Sequence, residues 1–320
     1  MTGAAGPAGA RARWREVDGI VLLDKPTGLT STQALQRARR LLGAAKAGHA
    51  GTLDPLATGM LPLCFGQATK ACGQLLGARK AYRAALTLGA STDTGDAEGA
   101  VTGRAALPVL EPGAAAAVLA GFCGERLQVP PMYSALKREG RPLYELARRG
   151  EEVPREARPI RIERLELLAV SPTLLEFEVV CSKGTYVRVL GEEIAAALGT
   201  LGHLAALRRL WVEPFEGEPM VALGELEAWA QAGAWEGASP PPGLLAVDRA
   251  FTGLPRVDLD ARLSLYLRQG REVEPASSPS ETGVWRAYDE AGQFLGLVEA
   301  TAERRLRVRR LFVAGSGTSP

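Results

Sequence analysis

Between Gly48 and Leu63 the chain reads Gly-His-Ala-Gly-Thr-Leu-Asp-Pro-Leu-Ala-Thr-Gly-Met-Leu-Pro-Leu, crowding glycine, threonine and proline around a single carboxylate, Asp54. Such a segment forms a loop that displays Asp54 instead of burying it. Pro55 biases Asp54 away from the right-handed helical region. Gly48, Gly51 and Gly59 let the backbone take positive φ or pass close to a bulky ligand, and loops built this way often carry function. The ordinary alternative is local: Asp is a preferred N-cap and Pro a preferred first helical residue, so Asp54-Pro55 could open a short helix.

The 320 residues suit one large domain or two, and 46% apolar content supports a substantial core. Two parts fit better. Residues 232–243 have the composition of a connection, because Pro240, Pro241 and Pro242 cannot continue a helix or a central strand. The expected division is a mobile basic tail over 1–15, a large domain over 16–245, a small C-terminal module over 246–314 and a mobile tail over 315–320. Cys64, Cys72, Cys123 and Cys181 make no C-x-x-C pair, and His49 and His203 are the only histidines, so no metal site is expected. Buried, reduced thiols are the default. No apolar run approaches membrane-spanning length and the N-terminus lacks a signal peptide's apolar region, which predicts a cytoplasmic protein.

Hydrophobic periodicity predicts a buried strand over Gly19–Leu23. A helix follows to about Leu42, capped by Thr30, Ser31 or Thr32, with Leu35, Ala38, Leu41 and Leu42 on one face. Tyr82–Leu88 and Glu176–Cys181 read as strands, the latter alternating Phe177, Val179 and Cys181 against its other face. Residues 91–99, Ser-Thr-Asp-Thr-Gly-Asp-Ala-Glu-Gly, look superficially like a calcium loop but lack the EF-hand spacing, so a solvated strand connection is expected. Helices are expected over Glu111–Gly121, over Pro142–Gly150 with Leu143, Leu146 and Ala147 inward, and over Glu192–Leu198. Leu127–Gly140, with paired prolines and basic residues, suits an exposed loop. The C-terminal module alternates short strands around Trp285, Phe294 and Leu306.

A net charge of +2 says little about nucleic acid by itself. Arg304, Arg305, Arg307, Arg309 and Arg310 crowd one segment, and Lys137, Arg138, Arg141, Arg148 and Arg149 another, giving two candidate phosphate-contacting patches. Because arginine far outnumbers lysine throughout the chain, ordinary solvated faces would account for both as well.

The Gly48–Leu63 string closely resembles the motif around the catalytic aspartate of bacterial tRNA pseudouridine synthases of the TruB type. The resemblance continues, in the family's order, through Leu22-Leu23-Asp24-Lys25-Pro26-Thr27-Gly28, Lys80-Ala81-Tyr82-Arg83, Pro131-Met132-Tyr133-Ser134-Ala135-Leu136-Lys137, Cys181-Ser182-Lys183-Gly184-Thr185-Tyr186-Val187-Arg188 and Leu207-Arg208-Arg209-Leu210. It spans about residues 18–215 and weakens beyond. It implies a pseudouridine synthase fold of mixed α/β class, with a largely antiparallel central sheet in a catalytic domain over 16–245. An RNA-gripping insertion over about 125–155 and a small β-rich PUA-like RNA-binding module over 246–314 complete the expected architecture. The implied reaction is isomerisation of the T-loop uridine at tRNA position 55, with no cofactor. The implied partner is tRNA, gripped at the T-arm with its acceptor stem beside the C-terminal module.

Pseudouridine formation breaks the C1′–N1 glycosidic bond, turns the uracil and joins C1′ to C5. A carboxylate can attack a sugar or base carbon, or stabilise an oxocarbenium-like sugar, as in glycoside hydrolysis. An isomerase that excludes water needs only one. The resemblance therefore makes Asp54 the nucleophile and Arg188 its ion-pair partner, hydrogen-bonding in a fork that keeps a partly desolvated carboxylate ionised. Tyr82 and Tyr186 would hold the extruded uracil. His49 would fill the gap left by the flipped nucleotide, Leu207 would touch substrate, and Lys25 would support the Asp54 loop or meet phosphate. Read without the family, Arg188 and the tyrosines are ordinary strand residues, His49 a surface or capping residue and Leu207 a core leucine. Attack at C1′, attack at C6 and elimination through a glycal all begin with the same aspartate. Two other readings stand beside this one: a tRNA-binding or RNA-folding protein in which isomerisation is secondary, and a nucleoside hydrolase, which would need a second acid or a metal cluster.

Overall fold

The structure, a computed structural model, describes residues 14–312 except 139, 234–239 and 276–280. The expected tails at 1–15 and 315–320 lie outside the described residues, apart from Trp14 and Arg15, and these two are tied down. The Arg15 N–H donates to the Gly43 carbonyl at 2.6 Å, and Arg39 lies 4.5 Å from the centre of the Trp14 ring.

A mixed sheet of ten strands dominates the chain. Its first members are β1 (Gly19–Lys25), β2 (Ala47–His49), β3 (Thr58–Phe65) and β4 (Lys80–Leu88). A ribbon of β5 (Ala90–Thr92) and β6 (Val101–Arg104) follows β4; after β7 (Gly124–Gln128) comes a second, of β8 (Lys137–Arg138) and β9 (Arg141–Pro142). The sheet is completed by β10 (Arg158–Val170), β11 (Leu174–Cys181), β12 (Gly202–Val212), β13 (Val221–Ala222) and β14 (Leu244–Leu245). In space the order is β13-β1-β3-β12-β4-β11-β10-β7, with β14 on β1 and β2 on β3. Only β1–β13 and β3–β12 run parallel, so the sheet is largely antiparallel.

β1 shows why its apolar run had to be buried on both sides. Val21 and Leu23 pack with Ala34, Leu35 and Ala38 of α1 (Ser31–Leu41), while Ile20 and Leu22 face a second cluster with Met60, Phe215, Phe251 and Phe312. The N-cap of α1 is Thr30, which exchanges hydrogen bonds with Gln33 in a capping box. Further helices are α2 (Cys72–Gly77), α3 (Pro112–Ala120), α4 (Leu143–Ala147), α5 (Val187–Ala197) and α6 (Leu223–Gln231). Two expected helices move. The one expected over Pro142–Gly150 shrinks to α4, because Pro142 pairs with Lys137 in the ribbon. The one expected from Glu192 already begins at Val187, which takes Arg188 off the strand and into the helix's first turn.

The C-terminal part is a four-stranded sheet of β15 (Arg256–Leu259), β16 (Gly283–Asp289), β17 (Phe294–Ala300) and β18 (Leu306–Leu311), packed with α7 (Ala261–Arg268). It has its own core around Leu259, Leu267, Val298 and Leu306. It is nevertheless fused to the rest: the rings of Phe251, Phe294 and Phe312 pack together, with centroids 5.2–6.0 Å apart, and Phe251 and Phe312 sit in the same buried cluster as Ile20 and Leu22.

Candidate active site

Asp54 lies between β2 and β3. A turn, in which the Ala57 N–H donates to the Asp54 carbonyl at 3.1 Å, leads straight into β3, so the local alternative of a helix opening at Asp54 does not hold. The loop is pinned from three directions. Ser31 donates to the Leu53 carbonyl at 3.0 Å and accepts from the Leu53 N–H at 2.7 Å. Lys25, with no exposed surface, donates to the carbonyls of Leu29 (2.6 Å), Pro26 (2.9 Å) and Pro55 (3.4 Å). Arg209, 1% exposed, donates to the carbonyls of Gly51 (3.0 Å) and Met60 (2.7 Å). Of the two roles expected for Lys25, its burial and its bond to the Pro55 carbonyl fit support of the Asp54 loop.

Arg188 is buried, and its Nε lies 3.0 Å from Asp54 Oδ2. The expected fork on the carboxylate does not form. Nη1 donates instead to the Thr94 carbonyl at 2.6 Å and Nη2 to the Tyr133 carbonyl at 2.7 Å, leaving Nε alone for Asp54. The guanidinium is thus fixed by two loops before it meets the aspartate.

Both loops differ from what their sequences suggest. Residues 91–99 are not a solvated connection: Asp96 is 3% exposed, with Oδ2 3.8 Å from Arg188 Nε and Oδ1 accepting from Thr94 Oγ1 at 2.6 Å. The stretch Leu127–Gly140 is not simply exposed either. Gln128 is buried and clamps the backbone of Tyr186, accepting from its N–H at 2.8 Å and donating to its carbonyl at 3.2 Å. Asp96, Gln128 and Arg209 escaped sequence reasoning. Arg209 stands inside the Leu207-Arg208-Arg209-Leu210 block, and Asp96 inside a loop whose spacing fails a calcium pattern.

The charges explain the electrostatics. Asp54 keeps 38% of its side-chain surface, yet protein surrounds it closely enough that desolvation raises its carboxyl above the usual range. Arg188 and Lys25 act against this rise, and Asp96 adds to it. Burial brings Lys25 down to about 8, so its ammonium is still charged at neutral pH.

The remaining expected residues are placed as follows. Tyr82, on β4, is only 7% exposed, and burial raises its phenol while Arg209 opposes the rise. Of the two tyrosines expected to hold the uracil, the half-buried Tyr186, at the N-cap of α5, is the more open. His49 ends β2, half-buried, with no hydrogen-bond partner for Nδ1 among the described residues, and burial lowers its imidazole, which favours the neutral ring. Leu207 belongs to the core, and it also lines a groove of about 440 Å³ with Thr27, Leu56, Thr58 and Arg208. Asp54 does not line that groove, although Leu56 and Thr58 flank its loop. Arg208 closes the groove's edge through a two-pronged pair with Asp24, at 2.9 and 2.8 Å.

The architecture is that of the pseudouridine synthases. A solved structure described as a Cbf5-Nop10-Gar1 complex aligns with a TM-score of 0.71 at 24% identity, covering 94% of this chain and 86% of that one. A second, of an H/ACA RNP bound to a substrate RNA containing 2′-deoxyuridine, gives 0.71 at 23% identity over 92% and 85% of the two chains. Sequence narrows the class. Residues 39–187 match the TruB family pseudouridylate synthase N-terminal domain, and residues 255–312 match the C-terminal region of pseudouridine synthase II TruB. The chain is 51% identical over 302 residues to tRNA pseudouridine synthase B of Aromatoleum aromaticum, covering 94% of each, and 50% identical over 287 residues to that of Dechloromonas aromatica, covering 89% of this chain and 92% of that protein. The chain belongs to the TruB family of pseudouridine synthases. Among the described residues no helix is long and apolar enough to cross a membrane.

Proposed function

We propose that this enzyme converts the uridine at position 55 in the T-loop of tRNA to pseudouridine, with Asp54 as the group that attacks the flipped nucleotide. The observation that carries the reading is the Asp54–Arg188 pair at 3.0 Å, held by a guanidinium whose other nitrogens are committed to backbone carbonyls. A cation so placed favours the ionised carboxylate against the desolvation that raises it, and the carboxylate is not free to wander.

The target nucleotide leaves the T-loop stack at a cost of roughly a few kcal/mol, and His49, partly open, takes the vacated place. Tyr186 stacks on the extruded uracil while Tyr82 and Leu207 close its pocket from the sheet. Asp54 then drives rupture of C1′–N1; the uracil turns, C1′–C5 forms, the C5 proton leaves and N1 regains one, so nothing enters or departs overall. The residues around 125–155 grip the T-arm, with Arg141, Arg148 and Arg149 exposed there. The C-terminal sheet acts as a PUA-like RNA-binding module, its exposed Arg304, Arg305 and Arg309 lying toward the acceptor stem. The relatives' name, tRNA pseudouridine synthase B, supports the substrate class. The test is incubation with an unmodified tRNA transcript and mapping of pseudouridine along it. Product at the T-loop uridine is expected; none there, or product only elsewhere, overturns the assignment.

A further inference from the structure

We propose that Cys64 and Cys72 are a redox pair beside β2: a small-molecule disulfide of the glutathione type oxidises them to one internal disulfide, and closing it loosens the strand that presents His49 to tRNA. The last step rests on the reading of His49 as the residue that takes the place of the flipped nucleotide.

Cys64 is locked into the sheet. It lies near the end of β3 with no exposed surface, opposite Ile20 of β1 on one side and Gly48 of β2 on the other. Directly opposed residues of an antiparallel pair point to one face with Cβ positions about 4.5–5.5 Å apart, so the space where Gly48 lacks a Cβ adjoins the Cys64 side chain. Cys72 borders that space: a Cβ added at Gly48 would lie 3.4 Å from Cys72 Sγ, an ordinary contact. Both cysteines are free thiols, and both belong to one apolar cluster, Cys64 within it and Cys72 packed against it. In the chain a 3₁₀ turn over Gly66–Ala71 leads from β3 back to Cys72, the first residue of α2.

The two thiols divide the chemistry between them. Cys72 is partly exposed and Cys64 is buried. Their hydrogen bond raises the Cys64 thiol, burial adding to the rise, and holds the Cys72 thiol below its ordinary range against burial. Attack requires a thiolate that a reagent can reach, which makes Cys72 the attacking sulfur. It displaces one thiolate from the small-molecule disulfide and forms a mixed disulfide; Cys64 then gives up its proton, attacks Cys72 Sγ and releases the second thiol. Two cysteine thiols are oxidised, and one external disulfide is reduced to two thiols. The new S–S bond is about 2.05 Å long, far shorter than a contact between unbonded sulfurs. Strands on both sides hold Cys64, so Cys72 is the one that moves, and its sulfur leaves the Gly48 contact. Gly48 is the middle residue of β2 and His49 the last.

The test treats full-length protein carrying Cys123→Ser, which removes the exposed thiol, with oxidised glutathione and maps the cysteines by mass spectrometry after alkylation and trypsin. Cleavage after Lys70 separates Cys64 from Cys72, so the bond appears as residues 47–70 linked to 71–79, and dithiothreitol should reverse it. With Cys64→Ser added, glutathione should remain attached to Cys72; with Cys72→Ser, Cys64 should stay unmodified. Absence of the linked peptide, or glutathione on Cys64 instead, overturns the proposal. Oxidised protein should bind an unmodified tRNA transcript about three- to tenfold more weakly than reduced protein, the cost of ordering one loosened side chain on binding, while Cys72→Ser treated alike should not change. A linked peptide with unchanged affinity overturns the proposal too. Thermal unfolding identifies variants that fail to fold, and Cys64→Ala replaces Cys64→Ser if that one does. His49→Ala, measured reduced, separates the failures: full affinity there sinks the reading of His49, whereas weakened affinity there with an insensitive disulfide sinks only this inference.

Discussion

Arg188 spends two nitrogens on the Thr94 and Tyr133 carbonyls and one on Asp54. Lysine retains the charge but cannot reach three acceptors lying in one plane, so Arg188→Lys should lower turnover by about one to three orders of magnitude, about 1.4–4 kcal/mol. Binding should change less, and comparing tRNA Kd with the single-turnover rate checks this. The pH profile follows from the sign of the Asp54 shift. Burial raises its carboxyl, so the reactive carboxylate disappears as pH falls through a value above the usual carboxylate range. Asp96 contributes to that rise as a like charge. Neutralising it in Asp96→Asn should move the acid limb of the rate profile to lower pH, and a limb that stays in place or moves up would mean that Asp96 acts on something other than Asp54's ionisation.

Elements position these residues through backbone packing that allows no slack. Gly59, at φ +95°, lies against the Arg209 backbone, where a Cβ would sit 2.1 Å from a carbonyl oxygen. Gly59→Ala should therefore destabilise the fold by about 2 kcal/mol or more, read as a lowered midpoint in urea or heat. Two of the three glycines of the Asp54 loop were legible in the sequence, since Gly51 and Gly59 take φ +90° and +95°, whereas Gly48 lies in β2 without a positive φ and with ordinary space beside it. Also legible were β1, whose apolar run requires burial on both faces, Thr30 as a cap and the strand of Tyr82. What stayed hidden depended on tertiary docking. Nothing local in Asp93-Thr94-Gly95-Asp96 says that Asp96 folds under Arg188, or that Gln128 clasps the Tyr186 backbone. The start of α5 was missed because Tyr186 offers no side-chain cap, and the strand-like Gly-Thr-Tyr-Val run gave no other sign of a helix. The fork on Asp54 was misjudged for a related reason: a guanidinium's partners are chosen by whichever carbonyls the fold brings near.

At the scale of the whole molecule, the chain's two parts share a core, and this changes what truncation should do. Removing everything after Gly243 strips β14 from β1 and uncovers Ile20, Leu22, Met60 and Phe215, which pack with Phe251 and Phe312. Exposing four such side chains costs about 6–12 kcal/mol at about 1.5–3 each, comparable with the roughly 5–15 kcal/mol that holds a domain folded. The truncated chain is expected to be insoluble or to lose its near-UV circular dichroism. The RNA-binding role of the C-terminal sheet is better tested in the full chain. Arg305 is paired with Glu272, Arg307 with Glu299 and Arg310 with the Lys70 carbonyl, so the exposed Arg304 and Arg309 are the side chains to neutralise. Every arginine–phosphate pairing removed should flatten the dependence of log affinity on log salt by about 0.9, and an unchanged slope would assign that face to another partner. The most direct measurement concerns Asp54 itself: position-resolved pseudouridine in an unmodified tRNA transcript, with tRNA affinity measured in parallel, for wild type and Asp54→Asn. The expected result is product at the T-loop uridine with wild type, none with the variant, and affinities within about tenfold of each other, because the amide is isosteric but cannot attack. Measurable product from an uncontaminated Asp54→Asn protein would contradict the assignment of Asp54 as the reacting group.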